Sequence, residues 1–147
     1  MSRILFVQTQ GERMRSVFCL GVWDAFHVGH IRFIEKAHTF GDFLAVGIVK
    51  DEAVRKQKGD LRPVIPFIER EEIIHKWPDV NGTIALDDFT IPQYIIKKYD
   101  IIAVGEDQNH ILNLDDVPEN KKRIIKRYPH QSTSKIIKRI QDAVNIK

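Results

Sequence analysis

With a single cysteine, Cys19, among its 147 residues, the chain can close no internal disulfide. It also lacks any apolar run near the roughly 20 residues that a membrane-spanning helix needs. The apolar stretch at its start, Ile4-Leu5-Phe6-Val7, is too short for a secretory segment, and no small-residue cleavage site follows. These absences point to a reducing, cytoplasmic setting without a membrane. There is no zinc-finger, RRM or glycine-loop module, and aromatics are not interleaved with the basic residues. Nucleic acid is therefore not the expected partner. No cluster of His, Cys and Asp has the spacing of a transition-metal cage, so no protein metal site is expected. Repeats and low-complexity tracts are missing as well.

What remains is an ordinary globular composition, 43% apolar and 29% charged, at a length that suits one domain. We read 1–14 as an N-terminal extension, with Ile4–Val7 an edge strand or a packed arm, and 15–147 as the domain. The net charge of +3 is unevenly placed. Residues 121–147 hold nine Lys/Arg against one acid, Asp142, so residues 1–120 carry −5. Such a basic end suits an anionic partner, including phosphorylated small molecules.

The informative stretch is Gly21-Val22-Trp23-Asp24-Ala25-Phe26-His27-Val28-Gly29-His30. An apolar run of strand length, 16–20, precedes it, and residues 31–37 after it have apolar side chains at helical spacing. A strand, a tight turn and a helix start follow from this pattern. Gly29 lets a ligand approach the backbone closely. Free N–H groups and the positive helix end favour an anion there, and two imidazoles add donors.

Further along, 43–49 is a continuous apolar run of the kind found in parallel strands covered on both faces. A short helix over 51–55 leads to Lys56-Gln57-Lys58-Gly59-Asp60-Leu61-Arg62-Pro63, which reads as a mobile, basic loop. A helix over 69–77 ends at Pro78, and a weaker strand follows over 80–86. Thr90 and Gln93 have capping-box spacing, predicting a helix from Thr90 to about Lys98. Ile101–Gly105 is a further strand, ending in Glu106-Asp107-Gln108. A loop and a helix beginning near Pro118 are expected next. Arg123–Ile125 reads as a short strand or part of a helix. Ser132-Thr133-Ser134 caps a last helix with Ile136, Ile137, Ile140 and Val144 on one face.

The 21–30 stretch resembles the G-x-F-D-x-x-H-x-G-H signature of the cytidylyltransferase family, glycerol-3-phosphate cytidylyltransferase-like, within the H-x-G-H nucleotidyltransferases. A second signature, R-T-x-G-I-S-T-T, is similar to Arg127-Tyr128-Pro129-His130-Gln131-Ser132-Thr133-Ser134, with His130 and Gln131 replacing Gly and Ile. The resemblance implies an α/β fold, a Rossmann-like doubly wound parallel sheet of about five strands in the order 3-2-1-4-5. It implies catalytic roles for His27, His30, Lys58 and Arg127. Nucleotide contacts are implied for Gly21, Val22, Trp23, Gly29, Gly105, Asp107, Ser132, Thr133 and Ser134 as well. Lys56 and Arg70 would face the acceptor, and Asp24 would organise the turn. Mg²⁺ would be held mainly by the triphosphate. A homodimer is implied, with Trp77, Phe89 and Tyr94 as contact candidates.

The end of the second signature, Ser132–Ile136, favours CTP and a small phosphomonoester such as glycerol 3-phosphate. ATP is the alternative. Lys58-Gly59-Asp60-Leu61-Arg62-Pro63 is similar to the loop of heptose-phosphate adenylyltransferases, and 101–108 to archaeal FAD synthases, whose acceptor is FMN. The missing K-M-S-K-S-like loop and anticodon domains argue against a truncated aminoacyl-tRNA synthetase, and the intact signatures argue against a non-catalytic binding module. Neither signature supplies a carboxylate placed to deprotonate an alcohol. The acceptor is therefore expected to be a phosphomonoester, already dianionic at neutral pH with a second pKa of about 6.

Overall fold

The two longest apolar runs, Ser16–Gly21 (β1) and Phe43–Val49 (β2), lie side by side as parallel strands with Ser16 opposite Phe43 and Gly21 opposite Ile48. The computed structural model describes residues 13–145; the proposed arm at Ile4–Val7 lies outside them. Chain order continues from β1 through α1 (Val28–His38), β2, α2 (Asp51–Lys58), α3 (Phe67–His75) and β3 (Gly82–Leu86). It then runs through α4 (Gln93–Lys98), β4 (Ile101–Gly105), a 3-10 turn at Leu114–Asp116, β5 (Lys122–Ile125) and α5 (Thr133–Asn145). The five strands form one sheet in the order β3-β2-β1-β4-β5, and every pairing is parallel. This is the Rossmann-like order that the resemblance implied.

Successive strand residues alternate between the faces of the sheet. Val17 and Cys19 of β1 pack with Ile34 and Ala37 of α1 and Ile74 of α3 on one face. Phe18 and Leu20 pack with Val54 of α2 and Ile95 and Ile96 of α4 on the other. Both faces are therefore dry, which is why β1 and β2 read as unbroken apolar runs. Cys19 is fully buried, and burial pushes its thiol pKa up, so it is inert. Among the described residues no helix is long and apolar enough to cross a membrane.

β1 and β4 pair only at Val17–Ile101 and Phe18–Ile102. Past Phe18 the two strands part, and a crevice opens at their carboxyl ends, where doubly wound sheets bind ligands. Gln108 spans the gap. Its amide donates to the Leu20 carbonyl (2.9 Å) and accepts from Gly105 N–H (2.7 Å).

Several expectations are corrected. α4 starts at Gln93 with Pro92 as its N-cap, not at Thr90; a residue before proline is pushed out of helical geometry, so Ile91 stays outside the helix. Its N–H is satisfied by Asn113 Oδ1 (2.8 Å). No helix begins near Pro118; residues after the 3-10 turn lead directly to β5. α5 does carry its apolar residues at helical spacing, yet none is buried, with Ile140 58% and Val144 73% exposed. Phe89, offered as a dimer contact, is in the core at 4% exposure, and Trp77 packs on Phe26; only Tyr94 is exposed.

Arg70 is also corrected. It is 1% exposed and every direction of its guanidinium is spent on protein. It donates to the carbonyls of Val22 (2.6 Å), Val49 (2.9 Å) and Ile65 (2.9 Å), and pairs with Asp51 (2.6 Å). Arg70 thus ties the ends of β1 and β2 to the start of α2, and its fully enclosed side chain is closed to an acceptor. Arg70→Met should cost about 3 kcal/mol in urea denaturation, because it strands Asp51 and three carbonyls. An unchanged unfolding midpoint with a raised acceptor KM would restore the binding role.

Candidate functional site

The turn from β1 into α1 is built on two residues with positive φ, Trp23 (60°) and Ala25 (48°). Between them Asp24 turns inward and is only 2% exposed. Its carboxylate accepts from the N–H groups of Val64 (2.8 Å) and Ile65 (2.9 Å) and pairs with Arg62 Nε (3.4 Å). Trp23 is buried in the core and donates Nε1–H to the Gly47 carbonyl (3.0 Å). A side chain at Gly21 would meet the Trp23 ring at 2.9 Å.

His27 and His30 form a reciprocal cap on α1. Gly29 N–H donates to His27 Nδ1 (3.0 Å), and His27 N–H donates to His30 Nδ1 (3.2 Å). Each Nδ1 is therefore an acceptor, so in both rings the proton sits on Nε2. The rings stack at 3.8 Å between centroids, too close for both to be charged. The His30 pKa is lowered to about 3 by burial, then by His27 and Lys58. Burial lowers that of His27 too. Two neutral imidazoles thus carry their protons on Nε2, on the side away from the cap. Thr133 Oγ1, 3.3 Å from His27 Nε2, gives its own proton to the Asp24 carbonyl (2.8 Å) and can accept that of His27. Gly29 serves the protein as much as a ligand: a side chain there would strike His27 Cε1 at 2.8 Å.

These groups share one cavity of about 620 Å³, within the range of small-molecule sites. It brings together Gly21, Val22, Trp23, His27, Gly29, His30, Lys58, Gly105, Asp107, Arg127, Ser132 and Thr133 from the sequence reading. Ser134 is exposed and outside the lining. Lys56 is outside too. α2 runs on to Lys58 and stops at Gly59 (φ 100°), so Lys56 sits on its outer face near Glu52 (3.7 Å), not in a loop. Lys58 closes the helix at the cavity mouth. Its pKa is lowered by burial and by Arg62, against the pull of Asp24 and Asp107. Arg127 reaches Asp107 (3.6 Å) with both side chains half-exposed, a pair weak enough for a polyanion to displace. Ser132 Oγ accepts from Lys135 N–H (3.1 Å), capping α5.

The sequence reading missed other lining residues. Arg32, Phe33 and Lys36 continue the Gly29 face of α1, a spacing that could have revealed them. Ile124, Ile125, Lys126 and Tyr128 come from β5 and the segment after it, and Arg62 from the segment held by Asp24. His110, in the loop after β4, had no motif to flag it.

Residues 18–146 match the cytidylyltransferase-like family. The chain belongs to this family of nucleotidyltransferases. Among curated relatives, the bifunctional protein HldE of Campylobacter curvus is 36% identical over 138 residues, 91% of this chain and 29% of that protein. HldE of Geotalea uraniireducens is 41% identical over 83 residues, 56% of this chain and 16% of that protein. The chain thus spans less than a third of these relatives. Among solved structures, a lipopolysaccharide core biosynthesis protein of Thermoplasma volcanium has 25% identity and a TM-score of 0.61, covering 81% of this chain and all of that one. A bifunctional NMN adenylyltransferase/ADP ribose pyrophosphatase of Francisella tularensis shares the fold, with TM-score 0.57 and 14% identity over 88% of this chain and 42% of that one.

The neutral His30 has a consequence for stability. An unfolded histidine titrates near 6.5, whereas folded His30 takes a proton only near 3. The unfolded chain binds more protons in between, so this contribution is full above pH 6.5 and drains as pH falls toward 3. Between pH 7 and 4.5, wild type should lose on the order of 2 kcal/mol more stability than His30→Gln. Equal losses in urea titrations would refute the neutral, buried assignment.

Proposed function

We propose that this nucleotidyltransferase domain is an adenylyltransferase that moves AMP from ATP to a phosphorylated sugar. The observation that carries the reading is the loop Lys58–Pro63, which resembles that of heptose-phosphate adenylyltransferases. The HldE relatives and the lipopolysaccharide core biosynthesis protein agree with it. CTP with glycerol 3-phosphate, favoured by the whole-chain resemblance and by Ser132–Ile136, is the second reading.

The cavity lining offers two kinds of surface, with Arg32, Lys36, Lys126 and Arg127 flanking its apolar residues. Phe33, Ile124, Ile125 and Tyr128, from α1 and the β5 edge, give an apolar and aromatic surface suited to a nucleoside. Lys58 and Arg62, with His110 as a neutral donor, suit an acceptor phosphate. The H-x-G-H rings and the α5 start, which meet at His27 and Thr133, offer donors to a triphosphate. An acceptor phosphate oxygen would attack the α-phosphorus. The new P–O bond forms as the bond to the β-phosphate bridging oxygen breaks, and pyrophosphate leaves with the electron pair. His30 Nε2–H, held by its cap, would donate to a phosphate oxygen as charge builds. Lys58 and Arg127 would hold phosphate oxygens, and Thr133 would keep His27 in place.

Two acids line the cavity, and Asp24 is already committed to Val64 and Ile65. Mg²⁺ therefore fits best as a passenger of the triphosphate, with at most Asp107 beside it; it would neutralise phosphate charge. The homodimer also remains a proposal: light scattering should give twice the 17.1 kDa chain mass.

Pyrophosphate release measured with each of four triphosphates and a panel of sugar phosphates tests the reading. ATP with a heptose phosphate should be turned over, and turnover from CTP alone would move the domain to the cytidylyltransferase branch. His30→Ala should lower kcat by about 10²–10³ with little change in ATP binding. Activity should rise as the acceptor phosphate loses its second proton, near pH 6, and then flatten. Efficient transfer to an unphosphorylated alcohol would overturn the phosphomonoester assignment.

A further inference from the structure

The loop after β4 does more than connect strands. It crosses from β4 to the chain beyond β3, where Leu112 N–H donates to the Phe89 carbonyl (2.9 Å). The Asn113 amide there bonds both N–H and C=O of Ile91 (2.8 Å each). Gln108 fixes the other end of the loop to β1 and β4. Between these anchors the half-buried His110 stands edge-on to Phe89, with ring centroids 4.8 Å apart at 88°. Its imidazole lines the cavity, and among the described residues no protein group is hydrogen-bonded to its nitrogens. Burial and Lys58 lower its pKa, against Asp107, so it faces the cavity as a neutral ring.

We propose that His110 is an acceptor-binding residue, donating a ring N–H to the phosphate that attacks the nucleotide. Lys58 links the parts of the site, since its charge bears on both His30 and His110. The loop ties His110 to Phe89 beyond β3, on the side of β1 opposite to β5, away from Ile124 and Tyr128. A neutral imidazole suits that place. It offers one donor to the acceptor phosphate without a second full charge beside Lys58, and its other nitrogen can accept from an acceptor hydroxyl. The rigid anchoring of the loop makes the ring a preset contact whose entropy is already spent.

This inference rests on the adenylyltransferase reading, and the test separates the two. The full chain, with ¹³C-labelled histidine, is saturated with α,β-methylene-ATP to fill the nucleotide site without turnover. Inorganic phosphate is then the probe for the acceptor subsite. The His110 ring resonance, assigned by its loss in His110→Gln, should shift saturably with phosphate. His110→Ala should weaken phosphate binding about ten-fold, and the Kd of the analogue should change by less than about two-fold. His110→Gln or His110→Asn, each able to place an N–H near one ring nitrogen, should recover part of the loss. An analogue that binds while the His110 resonance stays still overturns this inference alone. Equal weakening of analogue and phosphate also overturns it, because His110 would then act through the fold. Failure of the analogue to bind overturns the adenylyltransferase reading and the inference with it.

Discussion

The carboxylate of Asp24 is the joint on which the site depends. It is almost fully buried and must be satisfied by protein, because an unpaired charge there would cost several kcal/mol. It is met by two backbone N–H groups of the segment after α2 and by Arg62. The Asp24 carbonyl holds Thr133 at the start of α5. One residue therefore ties together the H-x-G-H turn, the segment that carries Arg62, and the last helix, which are remote in sequence. Hydrogen bonds to a charged group contribute about 1.5–3 kcal/mol each. That exceeds the roughly 1–2 kcal/mol for each of Trp23 and Ala25 held at positive φ, so the strained turn persists because Asp24 is so well partnered.

The two histidines follow from the same economy of groups. A helix start leaves backbone N–H groups without partners. Usually a Ser, Thr, Asp or Asn side chain satisfies one. Here imidazoles do so, and the duty of capping fixes their tautomers. A hydroxyl cap would satisfy the same N–H but could not then present a second, rigid donor on its far side. The cap and the donor are opposite nitrogens of one ring, which is a physical reason for histidine in this position. Gly29 completes the device, since any side chain there would push His27 out of its stack.

The strands and the middle of the site were legible because they reside in local patterns, whereas the sheet order came from the resemblance. Buried parallel strands show as apolar runs, and the two signatures are short and each falls at a helix start. Their meeting was legible only through the resemblance. Arg70 and Lys56 misled for opposite reasons. A cation near a motif reads as a ligand, and nothing local reveals that Arg70 is enclosed by three carbonyls and a carboxylate. Lys56 depends on where α2 stops: Gly59 and Pro63 suggested an early end, but the helix runs on to the residue before the glycine. Arg62 and His110 were hidden because their roles come from anchors far along the chain, Asp24 for one and Phe89 with Asn113 for the other. Thr90 failed on competition, since Pro92 dictates the backbone before it more strongly than a capping side chain can.

The charge asymmetry of the chain resolves in the same way. Residues 121–147 are strongly basic, but among their nine cations four lysines are tied to protein groups at the surface. The Lys121 ammonium donates to the Ile96 carbonyl (2.6 Å), Lys122 pairs with Glu119 (3.0 Å), and Lys138 pairs with Asp142 (3.3 Å). Lys135 reaches back to the Pro129 carbonyl (2.9 Å). From this stretch, Lys126 and Arg127 line the cavity, where Arg32, Lys36, Lys58 and Arg62 join them from earlier elements. Among the described residues, Asp24 and Asp107 are the acids that oppose them there. The field that would draw in a polyanion is thus assembled from several segments around one concave surface, and focusing within low-dielectric walls makes it stronger than the modest net charge suggests. A basic tail read along the sequence implies an anion-binding arm; folded, it becomes one wall of a pocket and a set of helix and strand ties.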